Sequence, residues 1–91
     1  MEVHFTEHVL EKLEKHLRLL GISEEDIVAT IKKPDDLVYD TFMDRYVALN
    51  YSRNLAVVYE KEDDKIIVVT AIYSSRLRSL VERRRMRGRW I

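Results

Sequence analysis

Lys65-Ile66-Ile67-Val68-Val69-Thr70-Ala71-Ile72-Tyr73 is the stretch on which the fold turns. Its apolar and β-branched residues, free of Gly and Pro, suit a pleated strand better than a helix. Strict alternation would leave one face wet, but here both faces are apolar. Such a strand normally lies inside a sheet with layers packed above and below it. Ser74-Ser75 and an Arg-rich end follow directly. The strand is therefore expected to form the core of the sheet and to position a basic segment.

The strands before it are shorter. Leu37–Asp40 predicts a first strand, and Arg45–Tyr51 a second in which Val47, Leu49 and Tyr51 share one face and Tyr46, Ala48 and Asn50 the other. Ser52-Arg53-Asn54 reads as a turn, Leu55–Glu60 as the return strand, and Lys61-Glu62-Asp63-Asp64 as a polar turn into the long strand. Connections this short make antiparallel hairpins. Val3-His4-Phe5 predicts a minor edge strand.

Two helices precede the meander. Thr6 is the cap of the first and Val9, Leu10, Leu13, Leu17 and Leu20 its apolar face, with Gly21 as a left-handed stop. Ser23 caps the second, Ile27, Val28 and Ile31 form its stripe, and Pro34 ends it. Phe5 with Leu10, and Ile22 with Ile27, have the spacing of hydrophobic staples. After the long strand, Leu77, Leu80 and Val81 predict a C-terminal helix that Gly88 stops, with the stem of Arg84 covering apolar surface. The fold class is α+β: two N-terminal helices, an antiparallel three- to four-stranded sheet and a basic C-terminal helix. Residues 1–91 fit a single domain, with 83–91 as an Arg-rich tail.

Composition narrows the function classes. The absence of Cys removes disulfide and thiolate chemistry and makes a reducing cytoplasm the expected compartment. No apolar run reaches the ~20 residues of a membrane helix, and the start lacks a signal-peptide pattern. The formal net charge of zero conceals an asymmetry. Residues 1–70 hold 9 Lys+Arg against 15 Asp+Glu, whereas residues 71–91 hold 7 Arg against Glu82 alone. Guanidinium grips phosphate with a planar, bidentate fork, so the basic end suits anionic partners. The alternative is that these arginines are solvated or pair with the acidic body of their own chain.

This order of elements resembles the RelE/ParE toxin superfamily. The opening Phe5-Thr6-Glu7-His8, the Gly21-Ile22-Ser23-Glu24-Glu25 corner and the Val68–Tyr73 strand resemble most closely an uncharacterised branch of small prokaryotic proteins near it. The resemblance implies an RNA-directed, toxin-like protein: an mRNA endonuclease, on the ribosome or free of it, or a degenerate relative, neutralised by an antitoxin. Some members inhibit gyrase instead. In the RNA-cleaving members, Lys/Arg side chains on the sheet and a Tyr or His near the C-terminal end perform the chemistry. By that resemblance those roles fall here on Arg45 and Arg53 in the meander, Tyr73 at the end of the long strand, and Arg76 or Arg78 after it. The chain departs from the pattern in having no Lys cluster on its middle strands.

Metal-independent RNA cleavage needs a base for the 2′-hydroxyl, an acid for the leaving oxygen and cations for the developing phosphorane charge. Arg45, Arg53 and Arg76 are the candidate cations, and Tyr73 or His8 the candidate proton-transfer group. A non-catalytic nucleic-acid-binding module would instead use Arg78, Arg83, Arg84, Arg85, Arg87 and Arg89 for phosphate, with Trp90 stacking on a base or anchoring the tail to the domain. A protein-binding module using the acidic body or a sheet edge is the third class. His4 and His8 straddle the cap at Thr6, which breaks the geometry of an i, i+4 metal pair. Neither metal nor cofactor is expected.

Overall fold

The computed structural model describes residues 2–91. The elements are β1 (Glu2–Phe5), α1 (Glu7–Lys12), α2 (Glu24–Lys32), β2 (Asp36–Asp40), β3 (Arg45–Asn50), β4 (Leu55–Glu62), β5 (Lys65–Tyr73) and α3 (Leu77–Met86). They form an α+β domain with three helices and one five-stranded sheet in the order β1-β5-β4-β3-β2. Strands β2 to β5 make the expected antiparallel meander. The sheet as a whole is mixed, because β1 lies parallel to β5, pairing Glu2 with Lys65 through Phe5 with Val68. That corrects the purely antiparallel expectation. A parallel pair needs a long crossover, and the two helices and three strands between β1 and β5 supply one.

Helices cover both faces of the sheet. On one face Val9, Leu13, Leu17, Ile22, Ile27 and Ile31 pack on Ala48, Leu55, Val57, Tyr59, Ile66, Val68 and Ala71. On the other, Leu77, Val81 and Trp90 pack on Val38, Val47, Leu49, Ala56 and Val58. β5 serves both layers, with Ile66, Val68 and Ala71 on the first face and Val69 and Ile72 on the second. The central strand, however, is β4, whose Leu55–Tyr59 run is wholly buried. A register shift between Val58 and Tyr59 leaves Val69 of β5 without a partner, a bulge in the longest ladder.

The first helix departs from α geometry midway. Thr6 caps it, its Oγ1 accepting from the Val9 N–H at 3.3 Å while donating to the Val69 carbonyl at 3.2 Å, so one side chain ties the helix start to β5. Leu13–Leu17 then form a π turn and Arg18–Leu20 a 3₁₀ turn before Gly21, at φ 78°, ends the helix. A π turn takes an extra residue, so it holds Leu17 in line with Leu13 and swings Leu20 off the stripe. Val9, Leu13 and Leu17 are buried accordingly, while Leu10 and Leu20, expected in the core, are 42% and 49% exposed. Ile22 and Ile27 are buried in one cluster, whereas the staple expected between Phe5 and Leu10 leaves Leu10 in water. At α2, Ser23 and Asp26 complete a capping box.

Beyond Gly88 the chain turns back along the outer edge of β2. Tyr39 and Ile91 exchange backbone hydrogen bonds of 3.0 Å each, and the Thr41 N–H donates to the Arg89 carbonyl at 2.8 Å. The tail thus covers a strand edge that would otherwise present unpaired amides.

Candidate functional site

The seven arginines of the C-terminal segment fall into two rows and a clasp. Residues 76, 83 and 87 recur at helical spacing on one flank of the buried Leu77–Val81 stripe, and Arg78 and Arg85 on the other. The second row is occupied. Arg78 lies over the Tyr51 ring, 4.1 Å from its centroid, and Arg85 Nη2 donates to Asp36 Oδ2 at 3.0 Å. Burial, then Asp36, raise the Tyr51 pKa, with Arg85 and Arg78 acting against them. Arg76, Arg83 and Arg87 are exposed and make no ion pair among the described residues. They form a cationic stripe roughly 16 Å long at the helical rise.

The clasp uses Arg84, Arg89 and Trp90. Trp90 is 1% exposed, its Nε1–H donating to Asp40 Oδ2 at 2.9 Å, and Arg89 Nε donates to the same oxygen at 3.2 Å. Asp40 Oδ1 accepts from the Phe42 and Met43 amides at 2.9 and 3.0 Å. Burial works to raise the Asp40 pKa. The Trp90, Met43 and Phe42 hydrogen bonds and the Arg89 charge together outweigh it, so the carboxyl sits below its ordinary value. The Arg84 guanidinium lies 4.7 Å from the Trp90 ring centroid and closes the clasp from outside. Of the two uses weighed for Trp90, base stacking is corrected to anchoring, because the indole lies in the core. Arg85 and Arg89 are likewise engaged by acids of β2, and Arg84 by the indole.

The residues considered for catalysis do not converge. Arg45 begins β3 and Arg53 lies in the turn beyond its far end, with about 17 Å of strand from Arg45 to Asn50 between them. Arg45 pairs with Glu60 at 2.9 Å and donates to the Met43 carbonyl at 2.7 Å, leaving its buried Nε without a partner. Arg53 donates to Asp26 Oδ2 at 2.9 Å and to the Gly21 carbonyl, bracing the α1–α2 corner against the β3–β4 turn. Asp26 is held below its usual value by the Ser23 backbone and side-chain hydrogen bonds and by Arg53, against desolvation. His8 Nε2 lies 3.3 Å from Thr70 Oγ1, three residues and about 10 Å of strand before Tyr73. Tyr73 is 36% exposed at the end of β5, and Arg76 immediately precedes α3 just beyond it, its N–H donating to Ser74 Oγ at 3.2 Å. Only Tyr73 and Arg76 remain as near neighbours in the chain.

Asp36 and Asp40, which hold Arg85, Arg89 and Trp90, are the residues of this surface that sequence reasoning missed. Their partners lie 49 and 50 residues away, and the only local trace is an acidic residue at each end of a short strand. No group of three or more His, Cys, Asp or Glu among the described residues is placed to hold a metal ion. No described helix is long and apolar enough to cross a membrane.

This layout is that of a small α+β domain whose C-terminal helix carries one open row of arginines. Residues 5–73 match the family described as a domain of unknown function, DUF4258, and the chain belongs to that family. The match runs from Phe5, the last residue of β1, through β5 and stops before α3. No curated protein and no solved structure matches the chain.

Proposed function

We propose that this protein is an RNA-directed module of the RelE/ParE toxin-like kind that binds phosphate through the open flank of α3, and that binding rather than cleavage is its main activity. The observation carrying this reading is the contrast between Arg76, Arg83 and Arg87, which face water without acids, and Arg78 and Arg85, which Tyr51 and Asp36 engage. Guanidinium groups in such a row contact successive phosphates without reading sequence. An antitoxin-like protein covering the row would compete with RNA for it.

The test is binding of fluorescent single-stranded RNA over a range of salt. Three phosphate contacts give a slope of log K against log salt near −2, at about −0.7 per contact. Arg83→Ala should reduce that slope by about 0.7. RNA binding that is absent at low salt, or indifferent to Arg83, sinks the reading.

The enzymatic alternative rests on Tyr73, half-exposed where the arginine row begins. Tyr73 would move a proton and Arg76 would stabilise the phosphorane. Inducible expression, with growth and mRNA 5′ ends followed, tests it. New ends that vanish in Tyr73→Phe and Arg76→Ala support cleavage. Growth arrest without new ends points to another target such as gyrase.

A further inference from the structure

A second cationic site lies on the opposite side of the sheet from α3. His8, Glu11, Lys12, Lys15 and His16 line one groove along the first helix, about 340 Å³ in volume. Their spacing of three and four places them on one helical face. Glu11 is already taken, accepting from Lys15 Nζ at 2.9 Å. Lys12 is half-buried, makes no ion pair or side-chain hydrogen bond among the described residues, and has its pKa lowered by desolvation. A partly desolvated ammonium without a counter-charge is costly to keep, and Glu11, the acid that lines the groove, is engaged by Lys15 rather than by Lys12. Lys15 and His16 ride on the π turn, a rare backbone feature that recurs at functional sites. His8 is steadied from behind by Thr70.

We infer that this groove is a binding site for a phosphate-type oxyanion, with the Lys12 ammonium as its charge partner and the His8 and His16 imidazoles beside it. A tetrahedral oxyanion offers acceptors to an ammonium and to imidazole N–H groups at once. The inference does not depend on the role assigned to α3, whose arginines lie in the other layer.

The experiment is NMR titration of the labelled protein with inorganic phosphate at constant ionic strength, following the imidazole signals of all three histidines. Saturable shifts at His8 and His16, with His4 unmoved, are expected. Lys12→Met keeps the apolar stem and should weaken binding at least about tenfold, as loss of a charge-assisted contact does. Arg83→Glu should leave this titration unchanged, which separates the groove from the α3 row. Shifts that never saturate, that include His4 equally, or that survive in Lys12→Met overturn the proposal. Where phosphate binds, RNA carrying a 5′-monophosphate is compared with RNA carrying a 5′-hydroxyl. A preference for the former that Lys12→Met abolishes identifies a terminal phosphate as the ligand. Equal affinities that Lys12→Met lowers alike identify the internal diester.

Discussion

The two flanks of α3 carry the same residue type and face different neighbours. Along one, Arg78 and Arg85 meet Tyr51 and Asp36, and beyond the helix Arg89 meets Asp40. Along the other, Arg76, Arg83 and Arg87 meet no acid among the described residues. What separates the flanks is what each side meets: Tyr51 and Asp36 engage Arg78 and Arg85 of one flank, and Asp40 at the other end of β2 engages the tail beyond the helix. The charge of a segment therefore says less about its role than the charge of the strand beneath it. On this chain the tethered arginines close the fold and the open ones are left in water.

The strongest way to break the tethered side is Trp90→Ala. Truncating a fully buried aromatic costs about 3–5 kcal/mol. That is a large share of the roughly 5–15 kcal/mol that holds a typical domain together. Denaturant unfolding should show a clearly lower midpoint, and β2, losing its cover, should exchange its amides faster than β4. A loss below about 1 kcal/mol would mean that the clasp is ornamental to the core.

Asp40→Asn probes the same clasp more gently. It keeps the shape and one acceptor but removes the charge facing Arg89, at an expected cost of about 1–3 kcal/mol. The pH dependence follows from the depressed pKa. The unfolded chain takes up a proton near pH 3.9, while the folded carboxylate holds out to lower pH. Its contribution is therefore fully present above about pH 5 and is lost as pH falls through the folded value. Wild type should lose stability in that acid window, and Asp40→Asn should lose less there.

On the open flank, Arg83→Glu reverses a charge without touching the core. Stability should stay within about 0.5 kcal/mol, as for most surface changes. RNA affinity at low salt should fall about tenfold or more, with a shallower salt slope. An equal loss in Arg85→Glu would erase the distinction between the flanks.

These outcomes bear on how far the sequence could be read. The doubly apolar Lys65–Tyr73 run and the caps at Thr6 and Ser23 were legible because strand patterning and capping act over neighbouring residues. The two polar turns after β3 and β4 were legible too, and each holds an Asp or Asn at positive φ, Asn54 and Asp63. β4 was harder to rank as the central strand, because its apolar run of Leu55–Tyr59 is shorter in the sequence than the Ile66–Tyr73 run of β5, although it is the more continuously buried of the two. The π turn left no mark in residue type and so misplaced Leu20. The site divides the same way. The helical spacing of the arginines was visible, but which flank stayed open depended on Asp36 and Asp40, nearly fifty residues upstream. Trp90 could be stacked or anchored until its indole found that carboxylate.

Asp36→Asn sharpens the comparison with the smallest change. Asparagine keeps an acceptor for the Leu37 amide, which Asp36 Oδ1 now receives at 3.0 Å. Only the charge holding Arg85 is withdrawn. The pair is partly exposed, with side chains 45% and 36% accessible, so its loss should cost no more than about 1 kcal/mol. Arg85 would then be free to join the open set. RNA affinity should rise a few-fold at low salt and the salt slope should steepen by about 0.7, one added phosphate contact. Adding Arg85→Ala to the variant should cancel both gains, which a general change in net charge would not do. An unchanged slope would mean that Asp36 does not keep Arg85 from RNA, and that the row is set by the direction of the helix flank rather than by the acids of β2.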